Sequence, residues 1–576
     1  MIEQRELKLI KIKADLESQE YDSAIKSLYE LLEEKDYCPE AVYLLAQTAF
    51  LNGNLDAAEN LSQELLLEDP NNESYLSFYK KTENAVHENK LTESLLTSFN
   101  DAYQKKEYFN ILKYGYQLLK YKNQALKTHT MLAETLFTMG KARLAHSHIL
   151  KALEIDPHDK GLLSCMVSYL HYTHDSTNTE VKHFAQMYGE KAFPEYQGKE
   201  YTEFPLLNLQ EKKLRIGFIS GDFKSHVVSL WIGNLIPKLQ ENGLDIFCYC
   251  NNEKDSITEI WSKQANHWRD IQNLNDIEAA KLIHQDKINI LIDLSGHSAL
   301  NRLGVIALRP APIQACWLGN PSPIGLKSIN YCISDVKHVP KEDDTYLEKI
   351  YRLPKYGSSF NIIEAFNLGQ EKALAPYKKN GFITFGCLSN MIKLNTNCFD
   401  IWVKILKTVP NSRLYLCNHA LQEDDTHKYI KNYFYQKGID DKQLILEGAT
   451  NKNRNEYLNY YHNIDVYLDS FPIGASTTCI DSAFMGVPLI SLRGERILHR
   501  MSAEIMNTLG HEELIAENHN DYIKKAVEFS LSPDLIDYYR NQLRESLFNS
   551  AIVNVNDFAK DFTEAMKSMW SEFCKV

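Results

Sequence analysis

At 576 residues, 44% hydrophobic and 24% charged, the chain is too long for a single core and has an ordinary globular composition. A formal charge of −13 excludes a broad nucleic-acid footprint, though not a local basic pocket. No apolar run approaches the ~20 residues of a membrane span, and the opening MIEQRELKLIKIKADLESQ has no signal-peptide core, so a cytoplasmic protein is expected. Residues 1 to about 190 read as consecutive helices. AVYLLAQTAFLNGNLDAAENLSQELLLEDPNN has a turn glycine at Gly53 and a stop at Pro70, and THTMLAETLFTMGKARLAHSHILKALEIDPHDK repeats the phrase with Gly140 and Pro157. Stepping back by the tetratricopeptide period of about 34 residues lands on Gln19 and Lys106, each within another helix-turn-helix phrase. The alternative is an irregular helical domain. Tetratricopeptide-like repeats over 1–160, two of them degenerate, and a helical connector over 161–211 are expected.

From Lys213 the pattern changes. LRIGFIS, LDIFCYC, INILIDL, IQACWL and INYCISD alternate with amphipathic helical stretches, and FITFGCL, RLYLCN, LILEGA, DVYLDS and VPLISL follow a proline- and lysine-marked pause. Such alternation predicts two parallel, Rossmann-like sheets, at 212–353 and 381–576 (the latter with a terminal helix), joined by a linker at 354–380. Ligands bind such sheets beyond the carboxyl ends of the strands. In LRPAPIQACWLGNPSPIG, prolines stiffen both ends of the strand IQACWL, and its glycine-bearing exit loop faces that crevice. The eleven cysteines are scattered; Cys248 and Cys250 are the one close pair, have no partner pair at zinc spacing, and read as buried thiols.

Four segments bring polar groups to the sheets. RIGFISGDFKSH carries Asp222, Lys224 and His226 after a strand. KLIHQDKINILIDLSGH carries His284 before a strand, and Asp293 and His297 after it. Asn390 and Lys393 follow FITFGCL, and Ser476-Thr477-Thr478 open a helix after DVYLDS. A helix N-terminus with hydroxyls is an anion site, and a nearby lysine adds a point charge, so these groups read together as a diphosphate site. His226 and His284 are acid–base candidates. Taken singly, Ser-Thr-Thr reads first as an N-cap, Lys393 as a surface charge, His284 as structural, and His297 as either a structural or a supporting group. No GxxxxGK[ST] loop occurs, and the Asp-Asp pairs at 343–344 and 424–425 do not follow strands.

The phrases GDFKSH, DLSGHSALNRLG, ALRPAPIQACWLGNPSPIG, FGCLSNMIKL, YLDSFPIGASTTCIDSAFMGVPLISL and FTEAMKSMWSEFC resemble the O-linked N-acetylglucosaminyltransferase family, most closely its SPINDLY-like and bacterial members. The resemblance runs from about residue 160 to the end. It implies a tetratricopeptide solenoid followed by an α/β GT-B fold, and inverting transfer from a nucleotide sugar to a protein hydroxyl without a metal. The expected donor is UDP-GlcNAc and the expected acceptor a Ser or Thr. It places the leaving-group lysine on Lys393 and active-site histidines on His226 and His284. Asn390 stands at the nucleotide-binding glutamine, Ser476-Thr477-Thr478 at a His-Thr-Thr helix start, Asp481 at the ribose-binding acid, and Leu318-Gly319 at the sugar-facing pair. Arg454 and His297 are counted with the nucleotide-sugar set. Tyr457 and Ser476 replace family histidines, which leaves glucose and fucose open as donors, and related bacterial enzymes that glucosylate asparagine share the fold, which leaves asparagine open as acceptor. Protein or peptide acceptors are expected on the repeats and in the cleft; the oligomeric state stays open. The rival readings are a non-catalytic repeat scaffold with a decayed transferase and a transferase acting on a small molecule or lipid.

Overall fold

The computed structural model describes residues 2–32, 38–121, 124–204, 213–342, 344–362, 366, 370–451 and 453–575, so parts of the expected connector (205–211) and linker (363–365 and 367–369) lie outside the described residues. The chain forms two compact units, Met1–Lys105 with Asn110–Gln124, and Lys106–Phe109 with Ala125–Val576.

In the first unit, helices Ile2–Glu17, Tyr21–Leu32, Pro39–Leu51 and Leu55–Glu68 stack small and aliphatic residues. Ile12, Ala24, Leu28, Ala41 and Leu45 form their shared core. Asn54 caps the fourth helix by accepting from the Ala57 N–H at 3.2 Å. The expected turns all adopt left-handed backbone: Gln19 (φ 61°) and Gly53 (φ 80°) here, Lys106 (φ 55°) and Gly140 (φ 72°) in the second unit. The degenerate repeats therefore keep the turn without the glycine, at a cost of about 1 kcal/mol each. One element departs from the repeat pattern. Glu73–Gln104 is a single 32-residue helix, because no glycine or proline interrupts that stretch.

The second unit carries two all-parallel sheets. Strands β1 (Arg215–Ser220), β2 (Asp245–Cys250), β3 (His267–Asp270), β4 (Ile290–Asp293), β5 (Ile313–Cys316), β6 (Tyr331–Asp335) and β7 (Lys349–Leu353) take the order β3-β2-β1-β4-β5-β6-β7. Strands β8 (Ile383–Cys387), β9 (Ser412–Asn418), β10 (Leu444–Gly448), β11 (Val466–Leu468), β12 (Leu489–Leu492) and β13 (Ile515–Ala516) take the order β10-β9-β8-β11-β12-β13. The interior strands β4, β5, β6 and β8 are buried along their whole length, as expected of parallel sheets covered on both faces. Three strands escape the sequence pattern. β3 (HWRD) and β7 (KIYRL) are edges bearing charges, and β13 has two residues. The order reverses between β1 and β4 and between β8 and β11, the switch points where ligand crevices open.

Two further elements tie these sheets together. The last helix, Val555–Phe573, presents Phe558, Phe562, Met566 and Trp570 along one face. That face joins the core of the first sheet with Ile216, Phe218, Ile292 and Ala315, and Phe562 sits 4.8 Å from Trp317. Helices Lys160–Leu170 and Asn178–Lys191, with the loop between them, reach both halves. Ser164 Oγ meets His297 Nδ1 at 2.7 Å, and there is no room for a side chain on Gly189, against the Gly325 carbonyl, or on Gly325, against the Ala185 carbonyl. In the other direction, His499 Nε2–H donates to the His171 carbonyl at 2.8 Å, and Arg496 binds Ser176 and Asn178. All eleven cysteines are free, with Cys248 and Cys250 buried. Among the described residues no helix is long and apolar enough to cross a membrane.

Candidate active site

The loops leaving the carboxyl ends of β5, β6, β7, β8, β11 and β12 converge on one cavity of about 220 Å³. Two sheets thus face each other across a cleft, the arrangement of a GT-B fold.

One end of the cavity is cationic. Asn390 caps the short turn Met391–Lys393 by accepting from the Ile392 N–H at 3.2 Å. This turn presents Lys393, whose Nζ donates to the Gly474 carbonyl at 2.9 Å. Burial pulls the Lys393 ammonium below its usual pKa, against the attraction of Asp469 and Cys387. Asp469, the first residue after β11, is buried; it accepts from the Ser470 and Ala475 N–H groups and from the Ser502 hydroxyl. Burial raises its carboxyl to about 6, while Ser502, Ala475 and Lys393 oppose the rise. Asp469 thereby folds the 470–475 loop so that helix Thr477–Met485 starts at the cavity. Ser476 occupies the N-cap but makes no capping hydrogen bond, and it lines the cavity with Lys393. Its hydroxyl is left for another partner, contrary to the simple N-cap reading.

Thr477 Oγ1 accepts from the Trp231 indole N–H at 3.3 Å, a link between the two halves, and the Thr478 carbonyl accepts from the Tyr461 hydroxyl at 2.9 Å. Asp481, one turn further on, is buried and paired with Arg454. Burial lifts its carboxyl to about 6, with Arg454 pulling the other way. The Arg454 guanidinium also lies 5.1 Å from the centre of the Phe366 ring.

The facing wall comes from the first sheet. Leu318 (φ 59°) and Gly319 (φ 51°) line the cavity in left-handed backbone, and the Leu294 carbonyl leaves no room for a side chain on Gly319. His297 braces this loop from behind. Its Nε2–H donates to the Pro323 carbonyl at 3.2 Å, its Nδ1 accepts from Ser164, and its ring edge meets Tyr188 at 4.6 Å. Burial pushes the imidazole down to about 4. His297 therefore supports the exit loop and has no free nitrogen for a ligand. Asp293, at the end of β4, accepts from the Gly296 N–H at 2.6 Å and is raised to about 7 by burial. His226 caps helix Val227–Ile232 through its Nδ1, 3.4 Å from the Val228 nitrogen and 3.6 Å from Asp222 Oδ1. Its side chain is 40% exposed, while its neighbours Val227 and Val228 line the cavity. His226 thus stands at the mouth.

His284 is not brought to this cavity. It precedes β4 and therefore lies at the amino edge of the sheet, stacked on Tyr201 at 4.0 Å and close to Phe204, Asn289 and Pro310. The sequence reading also passed over residues that the fold delivers to the cleft. Asp335, the last residue of β6, and His338, in the loop after it, line the cavity, as do Trp231 and Tyr356. The signal for the first pair was an acid ending the buried run YCISD with a histidine three residues on. Among the described residues no group of three or more His, Cys, Asp or Glu side chains could hold a metal ion.

Paired parallel sheets, with a cation and an uncapped helix start in the crevice between them, define a glycosyltransferase of the GT-B class. The chain belongs to glycosyl transferase family 41, whose model matches residues 172–367 and 373–562, and a tetratricopeptide-repeat model matches residues 15–81. It is similar to the probable UDP-N-acetylglucosamine–peptide N-acetylglucosaminyltransferase SPINDLY of Solanum lycopersicum, at 28% identity over 428 residues, 73% of this chain and 45% of that protein. Similarity to the probable UDP-N-acetylglucosamine–peptide N-acetylglucosaminyltransferase SEC of Arabidopsis thaliana is 27% over 374 residues, 63% of this chain and 38% of that one. The chain spans about half the length of the curated relatives it matches or less. A Thermobaculum terrenum O-GlcNAc transferase mutant, K341M, has the same fold, with a TM-score of 0.74 at 24% identity over 93% of this chain and 98% of that one.

Proposed function

We propose that the chain is an inverting, metal-independent protein glycosyltransferase that moves N-acetylglucosamine from UDP-GlcNAc to a serine or threonine of a protein acceptor. The observation carrying this reading is Lys393, half-buried in the cleft beside the open start of helix Thr477–Met485. In the reaction the acceptor oxygen bonds to the anomeric carbon as the bond from that carbon to the diphosphate breaks. Roughly two negative charges then gather on the leaving group. A lysine supplies one positive charge and a helix start about half of another, so the chain's own groups nearly match the demand. Both interactions strengthen as the bond breaks, which is what lowers a barrier.

His226 at the mouth, close to Asp222, is suited to meet the acceptor and pass its proton towards solvent. Leu318 and Gly319 offer backbone to the sugar, and Asn390, Thr477, Thr478, Arg454 and Asp481 flank the nucleoside side. The helical repeats present the polypeptide. The similarity to probable UDP-N-acetylglucosamine–peptide N-acetylglucosaminyltransferases supports this choice of donor and acceptor.

The test is Lys393→Ala, assayed for sugar transfer with UDP-GlcNAc, UDP-glucose and GDP-fucose, with and without excess EDTA. Turnover should fall about 100-fold or more in a folded variant, and EDTA should leave the wild-type rate unchanged. Near-normal transfer by folded Lys393→Ala, or activity abolished by EDTA and restored by Mn²⁺, overturns the mechanism. The preferred donor names the sugar.

A further inference from the structure

The end of the cavity contributed by β6 holds a histidine with one nitrogen to spare. The Asp335 carboxylate is filled by donors: Oδ1 accepts from the Lys337 N–H at 2.8 Å and the His338 N–H at 2.9 Å. Oδ2 accepts from His338 Nδ1 at 2.7 Å and the Gly357 N–H at 2.6 Å. Against the pull of burial, His338 and the backbone donors hold Asp335 below the usual carboxylate range. A carboxylate in this state can only accept, so Nδ1 carries the proton and the imidazole is fixed in orientation. The ring is further fixed edge-on to Tyr356, with centroids 5.0 Å apart. Its loop is tied to the opposite half, because Arg500 Nε donates to the Lys337 carbonyl at 2.9 Å and Lys337 Nζ to Asn507 Oδ1 at 3.0 Å. His338 is 4% exposed and lines the cavity that Lys393 and Gly319 also line, yet its Nε2 has no hydrogen-bond partner. A buried polar atom this well positioned and left unmatched marks a place where a ligand completes the pairing.

We infer that His338 is a specificity-determining residue whose Nε2 bonds a hydroxyl of the sugar being transferred. The inference rests on the reading of the cavity as a nucleotide-sugar site. The diphosphate belongs at Lys393, because an anion at His338 would face the Asp335 carboxylate directly behind the ring. Trp317, Tyr356 and Ile333 supply apolar wall to the same cavity, which suits the faces of a pyranose. A hydroxyl both donates and accepts, so it satisfies Nε2 whether the ring is neutral or protonated. The acceptor protein is the less suitable occupant: His226 stands exposed at the mouth, whereas His338 is enclosed.

The experiment compares calorimetric binding of UDP, UDP-GlcNAc, UDP-glucose and GDP-fucose to wild-type protein, His338→Phe and His338→Gln. Phenylalanine keeps the ring and removes both nitrogens; glutamine keeps a polar tip. UDP without a sugar should bind all three proteins alike, which also reports on folding. The gain in affinity that the preferred sugar adds should fall about tenfold in His338→Phe and by less in His338→Gln. A deoxy donor lacking the contacted hydroxyl should lose as much with wild-type protein, and the two losses should not add. Equal sugar-dependent affinity in wild type and His338→Phe overturns the assignment. So does loss of UDP binding in both variants, which would make the dyad a structural clamp. A wild-type protein that binds none of these nucleotides overturns the reading of the cavity itself, and the assignment with it.

Discussion

Alanine at Gly140 asks how tightly the helical hairpin Ala125–Ile155 is built against the cleft. Gly140 lies in the hairpin's turn with φ 72°, and a methyl group there would stand 1.9 Å from the Leu394 carbonyl oxygen and 3.2 Å from that of Met391. Those two carbonyls bracket Lys393. The chain contains its own control: Gly53 sits at the matching turn with φ 80°, and a methyl group there meets nothing within 4 Å. Both substitutions place alanine in left-handed backbone, a penalty of about 1 kcal/mol in either case. Only Gly140→Ala adds a collision, and relieving it to an ordinary contact of 3.4 Å means moving backbone by about 1.5 Å. A misplacement of that size costs about 100-fold in rate when the displaced group is catalytic. The expectation is that Gly53→Ala keeps the wild-type turnover number, while Gly140→Ala loses between about 10- and 100-fold with UDP binding retained. Turnover at saturating donor, alongside calorimetric UDP binding and far-ultraviolet circular dichroism, separates the cases. If Gly140→Ala turns over at the wild-type rate, or both variants lose activity equally, the argument for tight coupling is wrong.

Two more perturbations test other parts of the molecule. Asp293 is held near 7 in the folded state against an ordinary 3.8, so between those values the folded chain keeps a proton that the unfolded chain releases. Stability should therefore fall as pH rises from about 4 to 7, and Asp293→Asn, which can still accept from the Gly296 N–H, should flatten that part of a urea-denaturation profile; an unchanged slope assigns the pH dependence elsewhere. Removing residues 1–124 should leave UDP binding intact and slow transfer to an intact protein acceptor more than to a short peptide, whereas a deletion through residue 155 also removes the Gly140 turn and should impair both substrates.

The sequence disclosed what is periodic or local. Gln19 and Lys106 could be assigned to turns by counting from Gly53 and Gly140, because a repeat fixes backbone geometry even where the side chain changes. The interior strands were visible as continuous apolar runs, while β3 and β7 were hidden by the charges that edges carry. Lys393, Ser476, Leu318 and Gly319 meet in one cavity because each follows a strand, and the carboxyl ends of parallel strands share an edge. His284 followed a weaker logic: it lies near a strand in sequence, but before it, and so at the opposite edge. His338 carried only the signal of a histidine three residues after a strand-ending acid, since its value lies in a saturated Asp335 and an unpartnered Nε2, both products of tertiary packing. The close approach of Gly140 to Leu394 is of the same kind, as is the return of the final helix to the first sheet.

That return has a consequence for how the molecule can be divided. The chain passes from the first half to the second between Leu353 and Ile383, then comes back between helix Pro533–Phe548 and helix Val555–Phe573. The second half is therefore an insertion within the first, with neither terminus of its own at the chain's end. A chimera exchanging donor specificity with a relative must transplant an internal cassette of about 381–550 and leave the last helix with its host. A graft running to the C-terminus would strip Phe558, Phe562, Met566 and Trp570 from the first sheet and replace them with a face shaped for another protein. A proteolytic cut between Leu353 and Ile383 would leave the second half covalently attached only to the last helix, whose packing on the first sheet should keep the two fragments together until the second connection is also severed.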